Sequence, residues 1–460
     1  MDVILSVVDS LRADHVSAYG YDRATTPNLD TLAEEGRLFT RCFSPSTWTR
    51  PVASSLLTGR YPPAHGVETR SDGIPDGVPL LSEAFASAGF ETLCVTSMGN
   101  VSSATGFDRG FDDVIEVYKH PEVLERRTTT TADRELLNTD QDILAYPKAE
   151  DLNRYLFEWF EEHEDEDTFV LLWAIDPHSP YDPPNEFSRF SGEFDGDDSF
   201  GRDQNTVNQA STPREFRRLE NLYDDCINYW DDKLGELRSY LQSNRPADDS
   251  IVAVVGDHGE AFGERVLFRN PARGHNTIPH DEQTHVPFVL KTSSTDGGVH
   301  DEVVSLIDVP YTLLRAADVD PEFLSGQGSV VWEPGVVSGH EFVFSRTQSR
   351  RRGPAFTSVR SMDRKLISID PPDWSFENLK NHLREMVGYR FLVDGEMLYR
   401  VDEDPRETEN RVSEDIETAS ELRAELDLWY QECRQLRADE SNEFQNGVET
   451  EQLEALGYKM

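Results

Sequence analysis

Lysine is almost missing from this chain. Its 460 residues hold seven, at positions 119, 148, 233, 291, 365, 380 and 459, so arginine supplies the other 37 of the 44 basic residues. Acids outnumber bases 87 to 44, which sets the formal charge at −43. A surface of that sign excludes nucleic-acid binding by phosphate neutralisation and disfavours docking on an anionic membrane. Cysteine is scarce as well. Cys42, Cys94, Cys226 and Cys433 lie far apart, and no pair has metal-ligand spacing or suggests a disulfide scaffold. No run of about 18 apolar residues occurs, so no membrane-spanning helix is predicted. The opening MDVILSVVDSLRADH lacks the basic n-region and apolar stretch of a signal peptide. These absences lead us to expect a soluble, cytoplasmic protein.

What is present supports a folded enzyme-sized chain. Hydrophobic residues are 37% of the total, a modest share, yet spread along the sequence. The acid surplus therefore does not signal disorder. Scattered carboxylates with so few lysines read as a surface adapted to high salt, where self-repulsion is screened, as in a halophilic archaeon. A binding face for a cationic partner would need the acids to cluster, and they do not.

Four apolar runs read as buried strands: Val3–Val8, Thr168–Ile175, Ile251–Val255 and Val286–Leu290. Helical patterns separate them, over 29–36, 46–60, 80–89 and 214–242. This alternation predicts an α/β fold with a parallel central sheet covered by helices on both faces. The polar stretches 120–150 and 183–213 read as loops. Past about residue 345, short strands at 357–360, 365–369, 390–393 and 397–400 and a helix at 415–437 suggest a small antiparallel sheet. The expected division is a catalytic domain over 1–345 and a smaller α+β subdomain over 346–460.

Ligands in such sheets sit beyond the carboxyl ends of the strands. Asp9, Asp176 and Asp257-His258 each follow an apolar strand. Carboxylates with one imidazole suit a divalent ion, Ca²⁺ or Mn²⁺ ahead of Mg²⁺ or Zn²⁺.

The segment STWTRPVASSLLTGRYPP (46–63) is similar to the signature of the sulfatase family, in the alkaline phosphatase superfamily. There a C/S-x-P-x-R motif precedes L-x-T-G-R, and its Cys or Ser becomes formylglycine. The resemblance continues in VVDSLRADHVSAYGY, FDRGFDD (107–113), IDPHSPYDPP (175–184), GDHGEAFGE (256–264), HDEQTHVPFVL (280–290) and LYRVDEDPRETEN (398–410). It implies the alkaline-phosphatase-like fold, with a mixed, mostly parallel central sheet sandwiched by helices. It also implies one metal ion held by Asp9, Thr49, Asp257 and His258.

The departures from the family pattern are informative. Thr49 occupies the nucleophile position, so no formylglycine is expected. The motif Arg is Ala53, the second Asp of the usual pair is Ser10, and TSMGNVSS (96–103) lacks the sulfate-binding Lys and His. The set resembles threonine-nucleophile phosphodiesterases and phosphoglycerol transferases. In its Asp and Asp-His ligands it also resembles phosphonate monoester hydrolases. By the same resemblance, His178 and His275 face the ester and its leaving group as catalytic residues. His280 reads as packing or a rim contact, His15 and His65 have no assigned role, and Cys42 reads as a packing residue out of register with the motif.

The sequence thus predicts a metal-dependent hydrolase that cleaves a sulfate or phosphate ester, on a small molecule or saccharide, through a covalent intermediate on Thr49. The alternatives are a phosphodiesterase or phospho-group transferase, and a catalytically silent binding protein. The charge yields a first test. Below about 0.1 M salt the Debye length exceeds about 10 Å and self-repulsion is no longer screened. Dialysis to that level should lower the unfolding temperature or abolish activity. Unchanged thermal stability from low to molar salt would contradict the high-salt reading.

Overall fold

The computed structural model describes residues 1–123, 147–192, 200–245, 250–267, 270–294, 297–348, 355–370 and 395–438. The strands are β1 (Asp2–Val8), β2 (Arg37–Phe43), β3 (Glu91–Thr96), β4 (Asp113–Glu116), β5 (Thr168–Ala174) and β6 (Ser250–Gly256). They continue with β7 (Ala261–Leu267), β8 (Asn270–Gly274), β9 (His285–Lys291), β10 (Gly298–His300) and β11 (Val304–Ser305). The central sheet runs β10-β2-β9-β6-β1-β5-β3-β4, with β11 also paired to β2. Strand β9 alone is antiparallel to its neighbours β2 and β6. The other pairings within this sheet are parallel, and β7 and β8 form a separate antiparallel pair. The central sheet is thus mixed and mostly parallel.

β1, β5 and β6 are buried along their whole length. Successive side chains point to opposite faces of a strand. Val3, Leu5 and Val7 accordingly enter one core, with Val52, Leu56 and Leu57 of the Thr49–Thr58 helix. Ile4 and Val8 enter the other, with residues of the Ala149–Glu162 and Pro213–Asn244 helices. The second of these helices begins at Thr212, whose side chain accepts from the Glu215 N–H in a capping box, with Pro213 at the first helical position. No helix among the described residues is long and apolar enough to cross a membrane.

The stretches expected to be loops are partly helical. The Ala149–Glu162 helix starts inside the first, and Gln204–Gln209 forms a short helix in the second. Residues 124–146 and 193–199 lie outside the described residues. The small C-terminal sheet is antiparallel, with β14 (Val343–Gln348), β15 (Ala355–Arg360), β16 (Arg364–Asp370) and β17 (Glu396–Arg400) in that order. β12 (Trp332–Glu333) and β13 (Val336–Val337) form a separate hairpin before it. The strand expected at 390–393 lies outside the described residues. The Ile416–Ala438 helix packs against this sheet through Leu422, Leu426 and Trp429, and the same cluster takes in Tyr61 and Ala64.

A buried ionic clasp joins the late segment to the loop and strand residues around Arg265 and His280. Glu407 receives Lys365 Nζ at 2.8 Å, Arg265 Nη2 at 3.2 Å and His280 Nδ1 at 3.2 Å. It also accepts from the Asp281 N–H at 2.8 Å. His280 is thus a buried partner in a charge network rather than a rim contact. Burial alone would raise the Glu407 carboxyl, but the charges of Lys365, His280 and Arg265 outweigh it and hold the group well below the usual carboxylate range. A depressed carboxyl stabilises the fold above its unfolded value of about 4.3 and loses that contribution as pH falls through the folded value. Glu407→Gln should therefore destabilise the protein at pH 7, by about 3 kcal/mol for a broken buried pair. The gap to wild type should narrow as pH drops below about 4. Denaturant unfolding at several pH values measures it, and a gap that stayed constant with pH would count against the clasp.

Candidate active site

Asp9 and Asp257 meet because their strands are neighbours in register. Val8 pairs with Gly256 across β1 and β6, so the next residue of each strand emerges at the same edge. The Asp9 N–H still donates to the Ala174 carbonyl and the Asp257 N–H to that of Val8. Thr49 arrives from a different element. Trp48 is extended and precedes the Thr49–Thr58 helix, which puts the threonine hydroxyl at a helix N-terminus, where the backbone dipole favours negative charge.

The side chains converge. Thr49 Oγ1 lies 3.3 Å from Asp9 Oδ2 and 3.4 Å from His258 Nε2. His258 Nε2 is 3.3 Å from Asp257 Oδ2 and 3.8 Å from Asp9 Oδ1. One donor atom from each of Asp9, Asp257 and His258 falls within 4.8 Å of the others. All three residues have 0% exposure. Burial and the charge of Asp9 push the Asp257 carboxyl well above its ordinary value. Burial, with the nearby His275, lowers the His258 imidazole to about 3. Both groups are therefore driven toward their neutral forms.

These residues fit a divalent cation. Asp257 Oδ2 is buried without a hydrogen-bond partner. His258 Nδ1 lies 2.9 Å from the Gly259 carbonyl, which can only accept, so Nδ1 carries the hydrogen and the Nε2 lone pair faces the carboxylates. Two carboxylates, an imidazole nitrogen and a hydroxyl form a donor set such an ion takes.

His275 and His178 line up beside this cluster. The rings of His258 and His275 have centroids 4.6 Å apart, and those of His275 and His178 4.8 Å. His275 Nδ1 is 3.4 Å from Glu260 Oε2, and His178 Nδ1 donates to the Ser179 carbonyl at 2.5 Å. The loop after β8 is tied to the Thr49 segment, since the Asn276 N–H donates to the Thr47 carbonyl at 2.7 Å.

Other strand-end and histidine positions have different places. Among the described residues Asp176 does not join the metal-type cluster. Its Oδ1 accepts from the Ala149 N–H at 3.2 Å, at the start of the Ala149–Glu162 helix, and burial raises its carboxyl to about 6. His15 is buried with Nδ1 2.7 Å from Asp224, and His65 is buried against Ser55. Cys42 is buried in β2. Asn100 Oδ1, within the segment that lacks the family's Lys and His, accepts from Arg50 Nη2 at 3.0 Å. Two neighbours carry no local signal of their roles in the sequence. Glu260 lies behind His275, and nothing in its spacing announces that. Ser10 registers in the sequence only as a lost Asp, yet it bonds to both carboxylates.

The buried acid–acid–imidazole cluster lies at the carboxyl edge of a mixed, mostly parallel sheet, in the arrangement of an alkaline-phosphatase-like ester hydrolase. The sulfatase family model matches residues 1–319, and the chain belongs to the sulfatase family. An arylsulfatase of Clostridium perfringens is 24% identical over 71% of this chain and 76% of its own length. The phosphonate monoester hydrolase of Agrobacterium radiobacter superposes with a TM-score of 0.68 at 18% identity, covering 95% of each chain. A protein solved with its substrate D-glucosamine-2-N,6-O-disulfate superposes with a TM-score of 0.68 at 16% identity, covering 96% of this chain and 99% of its own.

A cation that binds only the folded state adds about 2.7 kcal/mol at a hundredfold excess over its Kd. Mn²⁺ added to chelator-treated protein should therefore raise its melting temperature, and Asp257→Asn should remove the rise. An equal rise in the variant would place the ion elsewhere.

Proposed function

We propose that this protein is a cation-dependent hydrolase that cleaves a sulfate or phosphate ester through a covalent intermediate on Thr49. The observation that carries the reading is the Thr49 hydroxyl, at a helix N-terminus and within 3.4 Å of both Asp9 and His258. Asp9, Thr49, Asp257 and His258 would hold one divalent cation. Such an ion supplies positive charge that makes a hydroxyl more acidic and offsets charge on the transferring group.

The residues of the chain then divide the work. Thr49 Oγ1 attacks the sulfur or phosphorus, and its proton passes to the Asp9 carboxylate. The bond to the leaving oxygen breaks, and that oxygen takes a proton from the imidazole of His178 or His275. Water next attacks the same sulfur or phosphorus and gives its proton to that imidazole. Thr49 leaves and recovers its proton from Asp9, which restores the site.

Thr49 also favours a second reading, a phosphodiesterase or phospho-group transferase. An aldehyde hydrate expels sulfate by collapsing to the aldehyde, whereas a threonine ester must wait for water or another acceptor. The substrates named for similar proteins, aryl and amino-sugar sulfates among them, suggest a small-molecule or saccharide ester. The same reading takes the protein as a cytoplasmic enzyme with a surface adapted to high salt. It assigns catalysis to residues 1–345 and a packed-on subdomain to 346–460.

Thr49→Ala should lower turnover by about 10³-fold or more, since no other group replaces the attacking oxygen, and Thr49→Ser should keep a measurable part. Rapid quench should leave sulfate or phosphate on the peptide containing Thr49. Wild-type turnover in Thr49→Ala, or a label on Ser46 or Ser54, would refute the mechanism. Aryl sulfate, phosphate monoester and phosphate diester, compared in molar salt with Mn²⁺ and with Ca²⁺, then separate the two readings. A tenfold preference for diesters, about 1.4 kcal/mol in the barrier, selects the phosphodiesterase.

A further inference from the structure

Ser10 follows Asp9 with φ of 62°, a left-handed backbone that non-glycine residues seldom adopt. The Ser10 N–H donates to Asp257 Oδ1 at 2.8 Å, and the Ser10 hydroxyl donates to Asp9 Oδ1 at 2.9 Å. The His258 N–H is a second donor to Asp257 Oδ1, at 2.6 Å. One oxygen of each carboxylate is thereby held by the protein. Of the other pair, Asp257 Oδ2 is buried without a hydrogen-bond partner, and Asp9 Oδ2 faces Thr49.

We propose that Ser10 is a positioning residue that sets which cation the pocket prefers. By tying down one oxygen of each carboxylate it leaves single oxygens from Asp9 and Asp257, with one imidazole nitrogen and one hydroxyl. Four separate donors that include nitrogen suit Zn²⁺ or Mn²⁺. Ca²⁺ takes about six to eight oxygens and favours bidentate carboxylates, a mode disfavoured where the Ser10 N–H and hydroxyl engage one oxygen of each carboxylate. An Asp at position 10 would instead add a third carboxylate. The inference rests on the cation-dependent reading of the site, and it narrows the choice of ion away from calcium.

The test reads binding rather than turnover. Mn²⁺, Zn²⁺ and Ca²⁺ are titrated calorimetrically into chelator-treated full-length protein, as wild type, Ser10→Gly and Ser10→Asp. Glycine accepts the left-handed backbone and keeps the N–H bond to Asp257, but loses the hydroxyl. Wild type should bind Mn²⁺ and Zn²⁺ at least about tenfold more tightly than Ca²⁺. Ser10→Gly should weaken Mn²⁺ and Zn²⁺ by about 10–100-fold, the usual effect of losing a group that orients a ligand. Ser10→Asp should shift the preference toward Ca²⁺. If that variant does not fold, wild-type selectivity and the glycine variant decide. Wild type binding Ca²⁺ as tightly as Mn²⁺, or Ser10→Gly binding all three ions like wild type, overturns the role of Ser10 alone. A wild type that binds none of the three overturns the cation-dependent reading itself.

Discussion

Two carboxylates and an imidazole packed against one another without solvent exposure are the constraint on which this site depends. Like charges so close in a buried place are costly, and removing water makes each more so. The protein imposes the arrangement through the register of β1 and β6, which carries Asp9 and Asp257 to the same edge. Strands buried along their length on both faces supply the stability to hold it. Burial drives Asp257 and His258 toward their neutral forms, which is how the chain by itself tolerates the arrangement.

The remaining elements fix what surrounds that charge. The Thr49–Thr58 helix presents its N-terminus, and the Asn276–Thr47 bond ties the His275 loop to it. Behind the pocket, the Gly259 N–H donates to the Gln283 carbonyl at 2.9 Å. Gln283 lies in the short Asp281–Thr284 helix, whose N-cap residue is His280, a partner of Glu407. The C-terminal clasp thus backs the turn that carries Asp257 and His258. A late segment remote from that turn in sequence shares in keeping it in place.

The strands and the site were legible to different degrees. β1, β5 and β6 could be read because continuous apolar runs ending in Asp leave few alternatives, and Thr49 because the L-L-T-G-R segment fixes its register. The reversal of β9 could not be read, since apolar runs of either direction look alike. The Ala149–Glu162 helix was obscured because its start lies at the end of a long polar stretch. Its buried face, Leu152, Leu156, Trp159 and Phe160, becomes evident only beside the sheet. Ser10 was invisible as a contributor, because its effect depends on a left-handed φ and on atoms from two distant strands. The clasp around Glu407 needs residues 265, 280 and 365 together, which no local pattern announces.

The central claim is that Asp9, Thr49, Asp257 and His258 hold one cation beside the attacking hydroxyl. Crystals soaked in Mn²⁺ and measured at the manganese absorption edge test it most directly. The account predicts a single strong anomalous peak enclosed by those four side chains, lost in Asp257→Asn crystals. A peak away from them, or a pocket without one at saturating Mn²⁺, would contradict it.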